Sequence, residues 1–117
     1  MCADEKMYKD FVVSKNILKG KPVGYSLREK TADDTLSGWN VLSIEDDETY
    51  VSNPDNFTIV KASEIAKLQP LLLEIYDSMY GTELNWLYDE DGMFKGFFDL
   101  GSNQEVSIAQ VLTKGML

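Results

Sequence analysis

The segment WNVLSI at residues 39–44 constrains the fold more than any other stretch of the chain. It is apolar on both parities, with Trp39 and Val41 on one and Leu42 and Ile44 on the other. Successive side chains of a strand point to opposite faces of its sheet. A strand of this composition is therefore expected in the middle of a sheet, covered on both faces.

The flanking segments supply partners for it. Residues 11–13 predict a short buried strand, and Ser14 stands where it can cap a single helical turn that Gly20 closes. Val23, Tyr25 and Leu27 alternate with Gly24, Ser26 and Arg28, the pattern of a half-buried strand. Tyr50 and Val51 suggest the start of another strand. Asn53, Pro54, Asp55 and Asn56 predict a turn, because proline fixes φ and Asn or Asp tolerates the turn positions beside it. Residues 57–60 are β-branched and apolar, hence a strand. Ser63 reads as the cap of a helix with Glu64 at its positive end. Pro70 reads as the first residue of a second helix reaching Tyr80, its Leu72, Ile75 and Met79 facing the sheet. Residues 84–88 and 93–98 flank an Asp-Gly turn and predict a hairpin. Ser102 and Glu105 suggest a capping box for a C-terminal helix, although Val106, Ile108 and Val111 pull toward strand. The pattern predicts a single α+β domain over residues 1–117. Its sheet is mostly antiparallel, with a helix pair packed on one face and a C-terminal hairpin. Residues 1–9 are expected to fray.

Charge and residue usage narrow the function. The net charge is −9, unevenly spread. Residues 1–30 carry +3, residues 31–60 carry −7 with no base at all, and residues 61–117 carry −5. Nucleic-acid binding needs a basic footprint, which this balance opposes. A basic protein partner is compatible with it. No apolar run approaches the roughly 18 residues of a membrane span. The first ten residues are charged and lack the apolar stretch of a signal peptide. Cys2, the only cysteine, fits a reducing cytosol; a lipid-anchor cysteine is the alternative. The chain holds no histidine, which removes the commonest general base and metal ligand. Phosphate-cradling glycine motifs and paired Cys-x-x-Cys are absent as well. Placing Gly92 at the sixth position of a calcium loop puts Leu87 and Phe98 at the end positions, where neither can chelate. No cofactor and no metal are expected, and no catalytic residue stands out. A carboxylate-based enzyme stays open only in principle.

Several short segments, taken in order, resemble a known bacterial family. They are Ser14–Lys15, Val23–Gly24–Tyr25 with Arg28–Glu29, Ser37–Gly38–Trp39, the acids Asp46, Asp47 and Glu48 leading to Tyr50, and Asn53–Pro54–Asp55–Asn56. Over about residues 11–83 the chain is similar to immunity protein family thirty-three of polymorphic toxin systems, formerly described as a domain of unknown function. Residues 84–117 follow no pattern of that family and are expected to be particular to this protein. The resemblance implies a non-enzymatic, cytoplasmic binding protein that neutralises a cognate toxin. A general interaction or regulatory module is the alternative.

Candidate binding residues follow from position. Trp39 is either core or a binding anchor. Asp46, Asp47 and Glu48 either complement a basic toxin face or form a solvated loop, and Tyr50 and Asp55 flank the same loop. Nucleic acid and membrane are not expected as partners.

Overall fold

The strand signals resolve into one sheet. The structure is a computed structural model that describes residues 8–113. Its strands are β1 (Asp10–Ser14), β2 (Val23–Arg28), β3 (Leu36–Ser43), β4 (Phe57–Val60), β5 (Glu83–Tyr88), β6 (Phe94–Asp99) and β7 (Gln104–Val106). They lie in the order β4-β1-β3-β2-β5-β6-β7. Only β1 and β3 run parallel; the other neighbours are antiparallel. The helices are short: α1 (Lys15–Leu18), α2 (Glu48–Val51), α3 (Ala62–Leu68), α4 (Leu71–Glu74) and α5 (Ile108–Thr113). A 3-10 turn, Pro54–Asn56, precedes β4. The fold is α+β with a mostly antiparallel sheet, as the pattern predicts. Among the described residues no helix is long and apolar enough to cross a membrane.

The core lies on one face of this sheet. Residues paired directly across strands share a face, so Val13, Val41, Ser26 and Leu84 form one line across β1, β3, β2 and β5. The helices deliver Ile17, Ile65, Leu72 and Val111 to the same cluster. Trp86, Phe94 and Phe97 close its far end, with ring centroids 5.0–5.4 Å apart. Each such side chain, fully buried, contributes about 1.5–3 kcal/mol. Polar atoms that enter the core bring partners: Trp86 Nε1 donates to Ser26 Oγ at 2.9 Å, and Trp39 Nε1 donates to the Tyr76 carbonyl at 3.1 Å.

One glycine sets the geometry of β3. Asp10 pairs with Leu36 and Val12 with Asn40, so β3 uses more chain than β1 over the same stretch. The surplus is absorbed at Gly38, whose φ is +92°. A Cβ there would stand 2.1 Å from the Glu29 carbonyl oxygen. Only glycine meets both conditions, and it lets Trp39 descend into the core directly after the bulge.

Several expectations need correction. β3 is not covered on both faces: Trp39 and Val41 are fully buried, Asn40 and Leu42 on its other face are only half-buried, and Ile44, beyond the strand's end, is exposed. Tyr25 and Leu27 do not share a face with Val23, because a bulge at Gly24 divides β2 and turns Val23 and Ser26 to the core. Tyr50 and Val51 are helical, since the Asp47 carboxylate caps α2. Helix α3 begins at Ala62 with Lys61 as its N-cap, not at Ser63. The helix after Pro70 stops at Glu74, and beyond it the carbonyls of Tyr76 and Ser78 turn toward Arg28. Leu72 and Ile75 are buried, but Met79 is exposed. Ser102 and Glu105 do not box a helix. Residues 104–106 pair with β6, and the capping box is Ser107 with Gln110. Tyr8 and Lys9 are held against Tyr76, by an edge-on ring contact at 4.8 Å and a backbone hydrogen bond. The remainder of the segment expected to fray, with Cys2, lies outside the described residues.

Candidate functional site

Chain direction brings two acid runs to the same end of the sheet. The C-terminal ends of β1, β3 and β5 and the N-terminal ends of β2, β4 and β6 all lie there. That end therefore carries residues 45–48 and Asp55, and also Asp89, Glu90 and Asp91 of the hairpin. Lys15, Lys19 and Lys21 are the bases in the neighbouring loops, and Lys21 pairs with Glu45 at 3.3 Å.

Within the acid loop the carboxylates differ in what they do. Asp46 Oδ1 accepts from Asn16 Nδ2 at 2.7 Å and from Ser43 Oγ at 2.9 Å, and Oδ2 accepts from the Ser43 amide at 2.8 Å. It ties the end of β3 to α1. Burial works to raise its pKa, but hydrogen bonds from Ser14, Asn16 and Ser43 outweigh that and hold the carboxyl below its usual range. Asp47 accepts from the Tyr50 amide at 2.8 Å as N-cap of α2. Glu48 and Asp55 are exposed, and Tyr50 is half-buried with its carbonyl accepting from Asn56. Trp39 stands apart from these residues, inside the core with no exposed surface. Glu48, Asp55 and Tyr50 thus share a surface that Trp39 does not reach.

The acids elsewhere follow the same local pattern. Asp33, Asp89 and Asp99 accept from backbone amides two residues on, at Thr35, Asp91 and Gly101. Such turns are the ordinary use of aspartate outside helices. Among the described residues, no three His, Cys, Asp or Glu side chains converge as a metal ion requires.

The sheet face opposite the core is the second candidate surface. Val12, Asn40, Leu42, Tyr25, Leu27 and Asn85 lie on it, by pairing across β1, β3, β2 and β5. On β6 it carries Phe98. The Tyr25 hydroxyl donates to Glu83 Oε2 at 2.6 Å on this face. Burial, then the hydrogen bond and charge of Glu83, push that phenol well above the usual tyrosine range. A shallow recess opens at one end of the face, lined by Val12, Glu29, Leu36 and Asn40 among others.

Sequence reasoning missed the role of Arg28. Its Nε donates to the Ser37 carbonyl at 3.0 Å, and its NH1 to the carbonyls of Tyr76 at 2.7 Å and Ser78 at 2.9 Å. The guanidinium also lies over the rings of Tyr76 and Tyr80, 5.0 and 4.6 Å from their centroids. A planar five-donor head suits this fastening of three carbonyls. Alternation in the sequence assigns Arg28 to the solvent face with Ser26, and only the bulge at Gly24 turns both toward the core side. Arg28, Gly38, Trp39, Asp46 and Asn53 all belong to the segments that carry the family resemblance. Each fastens a turn or fills the core, so the resemblance reports the fold before it reports a contact surface.

No curated protein and no solved structure matches the chain. A family comparison does find a match, described as the Immunity protein Imm33 domain, over residues 11–97. The matched stretch runs from β1 into β6 and includes the Asp-Gly hairpin, so the hairpin is family structure and not an addition peculiar to this protein. With the sheet from β1 to β6 inside that match, the chain belongs to the Imm33 immunity protein domain family.

Proposed function

We propose that this protein neutralises a cognate bacterial toxin by binding it stoichiometrically, without catalysis. The observation that carries this reading is the family match over residues 11–97. The chemistry of the chain supports it. There is no histidine, and Asp46, Asp47, Asp89 and Asp99 are engaged in building turns and caps. On this reading the protein acts in the bacterial cytoplasm, where a lone cysteine stays reduced.

The partner we propose is basic at its contact surface. A chain of net charge −9 with its acid runs gathered at one end of the sheet attracts such a partner and accelerates encounter. Glu48 and Asp55 are exposed and available for this; Tyr50 adjoins them. Asp46, half-buried, and Asp47, exposed, also build the loop through their hydrogen bonds, and we assign them to its shape as well as to its field.

The experiment is co-expression with candidate toxin domains cloned from the neighbouring genes. Cells carrying both should survive, and the two proteins should co-purify. Reversing Glu48 and Asp55 to Lys should slow association several-fold at low salt, with the difference shrinking at high ionic strength. Absence of both rescue and complex would overturn the reading.

A further inference from the structure

Two departures from sequence expectation fall on the same face of the sheet. Leu42 in β3 and Ile44 just beyond it read as buried, yet Leu42 lies on the face away from the core and Ile44 is exposed. In β2 the apolar residues Tyr25 and Leu27 point the same way, while Ser26 takes the core position. Val12 and Phe98 extend the apolar strip to β1 and β6. None of these side chains belongs to the core cluster or packs against it. Every buried helical residue is committed to the opposite face. An antiparallel sheet with one solvated face ordinarily alternates apolar inward with polar outward. With Leu87 of β5, which pairs with Gly96, apolar side chains occupy both faces over five adjacent strands. Half-buried apolar side chains interspersed with Asn40 and Asn85 make a mixed surface of the kind found at non-obligate interfaces.

We propose that this bare face is the docking surface for the toxin domain, with the acidic end of the sheet as its polar rim. The proposal rests on the immunity reading and names the part of the molecule that performs it. Charge selects the occupant. The paired strand positions of the face include Glu83 and Glu105 and no Lys or Arg. Glu83 accepts from the Tyr25 hydroxyl on this face, while at the recess Glu29 and Lys30 offset each other, so the acidic character comes from Glu83, Glu105 and the acid runs at the end of the sheet. A second copy of this chain would bring a like charge of −9 against the same surface. A basic protein would meet complementary charge around an apolar centre, the usual anatomy of a specific interface. β2 is the middle strand of the seven, so Tyr25 and Leu27 stand at the centre of the face. Tyrosine at the centre of a patch is a common energetic anchor.

Hydroxyl-radical footprinting tests this on the full chain, with an inactivated form of the toxin domain identified by the rescue experiment as the probe. In the complex, oxidation of Tyr25, Leu27, Leu42 and Phe98 should fall several-fold, while exposed Met79, beyond α4, reacts as before. A second measurement uses the double variant Leu27→Ser/Leu42→Ser. Its dissociation constant should rise about tenfold or more, as expected for central interface residues. Its melting temperature should stay close to that of the parent, because neither residue belongs to the core. If the variant fails to fold, the footprint of the parent decides alone. A complex that leaves the four residues as reactive as in the free protein overturns this proposal and leaves the immunity reading standing. So does a folded double variant with parental affinity. If no complex forms, both readings fall. Protection already present in the free protein also overturns it, in favour of a second copy if sedimentation shows a dimer, or of the chain's own termini if it shows a monomer.

Discussion

Replacing Gly38 with alanine separates two penalties that are usually confounded. Gly38 has φ +92° and Gly20 has φ +87°, so an alanine at either site bears nearly the same backbone strain. That strain is about 1 kcal/mol for a residue with a Cβ. At Gly20 nothing lies within 4 Å of the new methyl, and the penalty ends there. At Gly38 the methyl would stand 2.1 Å from the Glu29 carbonyl oxygen and 3.4 Å from the Tyr80 ring. The contact can be relieved only by parting β2 from β3, where Glu29 N donates to Gly38 O at 2.9 Å. Overpacking of this kind costs about 1–3 kcal/mol and the lost hydrogen bond about 1 kcal/mol. Gly38→Ala should therefore lose about 3–5 kcal/mol, against about 1 kcal/mol for Gly20→Ala. For a chain of this length that separates the two melting temperatures by on the order of 10 °C. Urea unfolding and thermal melts of both variants, in one buffer, provide the comparison. Losses equal within about 0.5 kcal/mol would refute the reasoning, because the close approach to Glu29 would then carry no energy.

Three further outcomes are expected. Thr82→Val should stabilise the protein by about 1 kcal/mol in chemical denaturation, since the buried Thr82 hydroxyl has no hydrogen-bond partner among the described residues; destabilisation would show that the hydroxyl is satisfied. The Asp46 carboxyl has a pKa depressed on folding, so its stabilising contribution is present above the unfolded value near 3.9 and is lost as pH falls through the lower folded value. Asp46→Asn should thus lower the melting temperature at pH 7, with the gap to the parent closing toward pH 2–3; a gap constant with pH would sink the assignment. Ser107→Ala should cost roughly 1 kcal/mol through loss of the α5 cap, read as faster amide exchange confined to α5; unchanged exchange there would discount the capping box.

The parts of the fold legible in the sequence are those decided within a few residues. Ser14 and Gly20 bracket α1, and Asp-Gly at 91–92 joins β5 to β6. Long-range contacts decided the remainder. Nothing near Pro70 announces that Arg28, some fifty positions away, will donate to the Tyr76 and Ser78 carbonyls beyond the helix. The parity of β2 looked apolar on one side, but the Gly24 bulge assigns Val23 and Ser26 to the core and frees Tyr25 and Leu27 for the other face. Trp86, sixty residues on, supplies the partner that makes a buried Ser26 tolerable. The candidate site shows the same division. The acidity of residues 31–60 could be counted directly, but its gathering with the hairpin acids depends on strand direction, which composition does not encode.

The place of β1 in the sheet bears on how the chain assembles as it is synthesised. β1 leaves the ribosome before the other six strands, yet it sits between β3 and β4. Val12 must wait for Asn40 on one side and for Ile59 on the other. By contrast, Leu87 meets Gly96 after a short turn, and Phe97 meets Val106 soon after. Closing a long loop costs entropy before any contact repays it, so local pairings form first. The β2–β3 hairpin and the β5–β6–β7 meander are therefore the natural early pairings, and β1 is the strand that docks late. During translation the segment that holds β1 therefore stays unpaired until β3 and β4 have emerged, and the sheet is complete only when the meander, made last, joins β2 through β5.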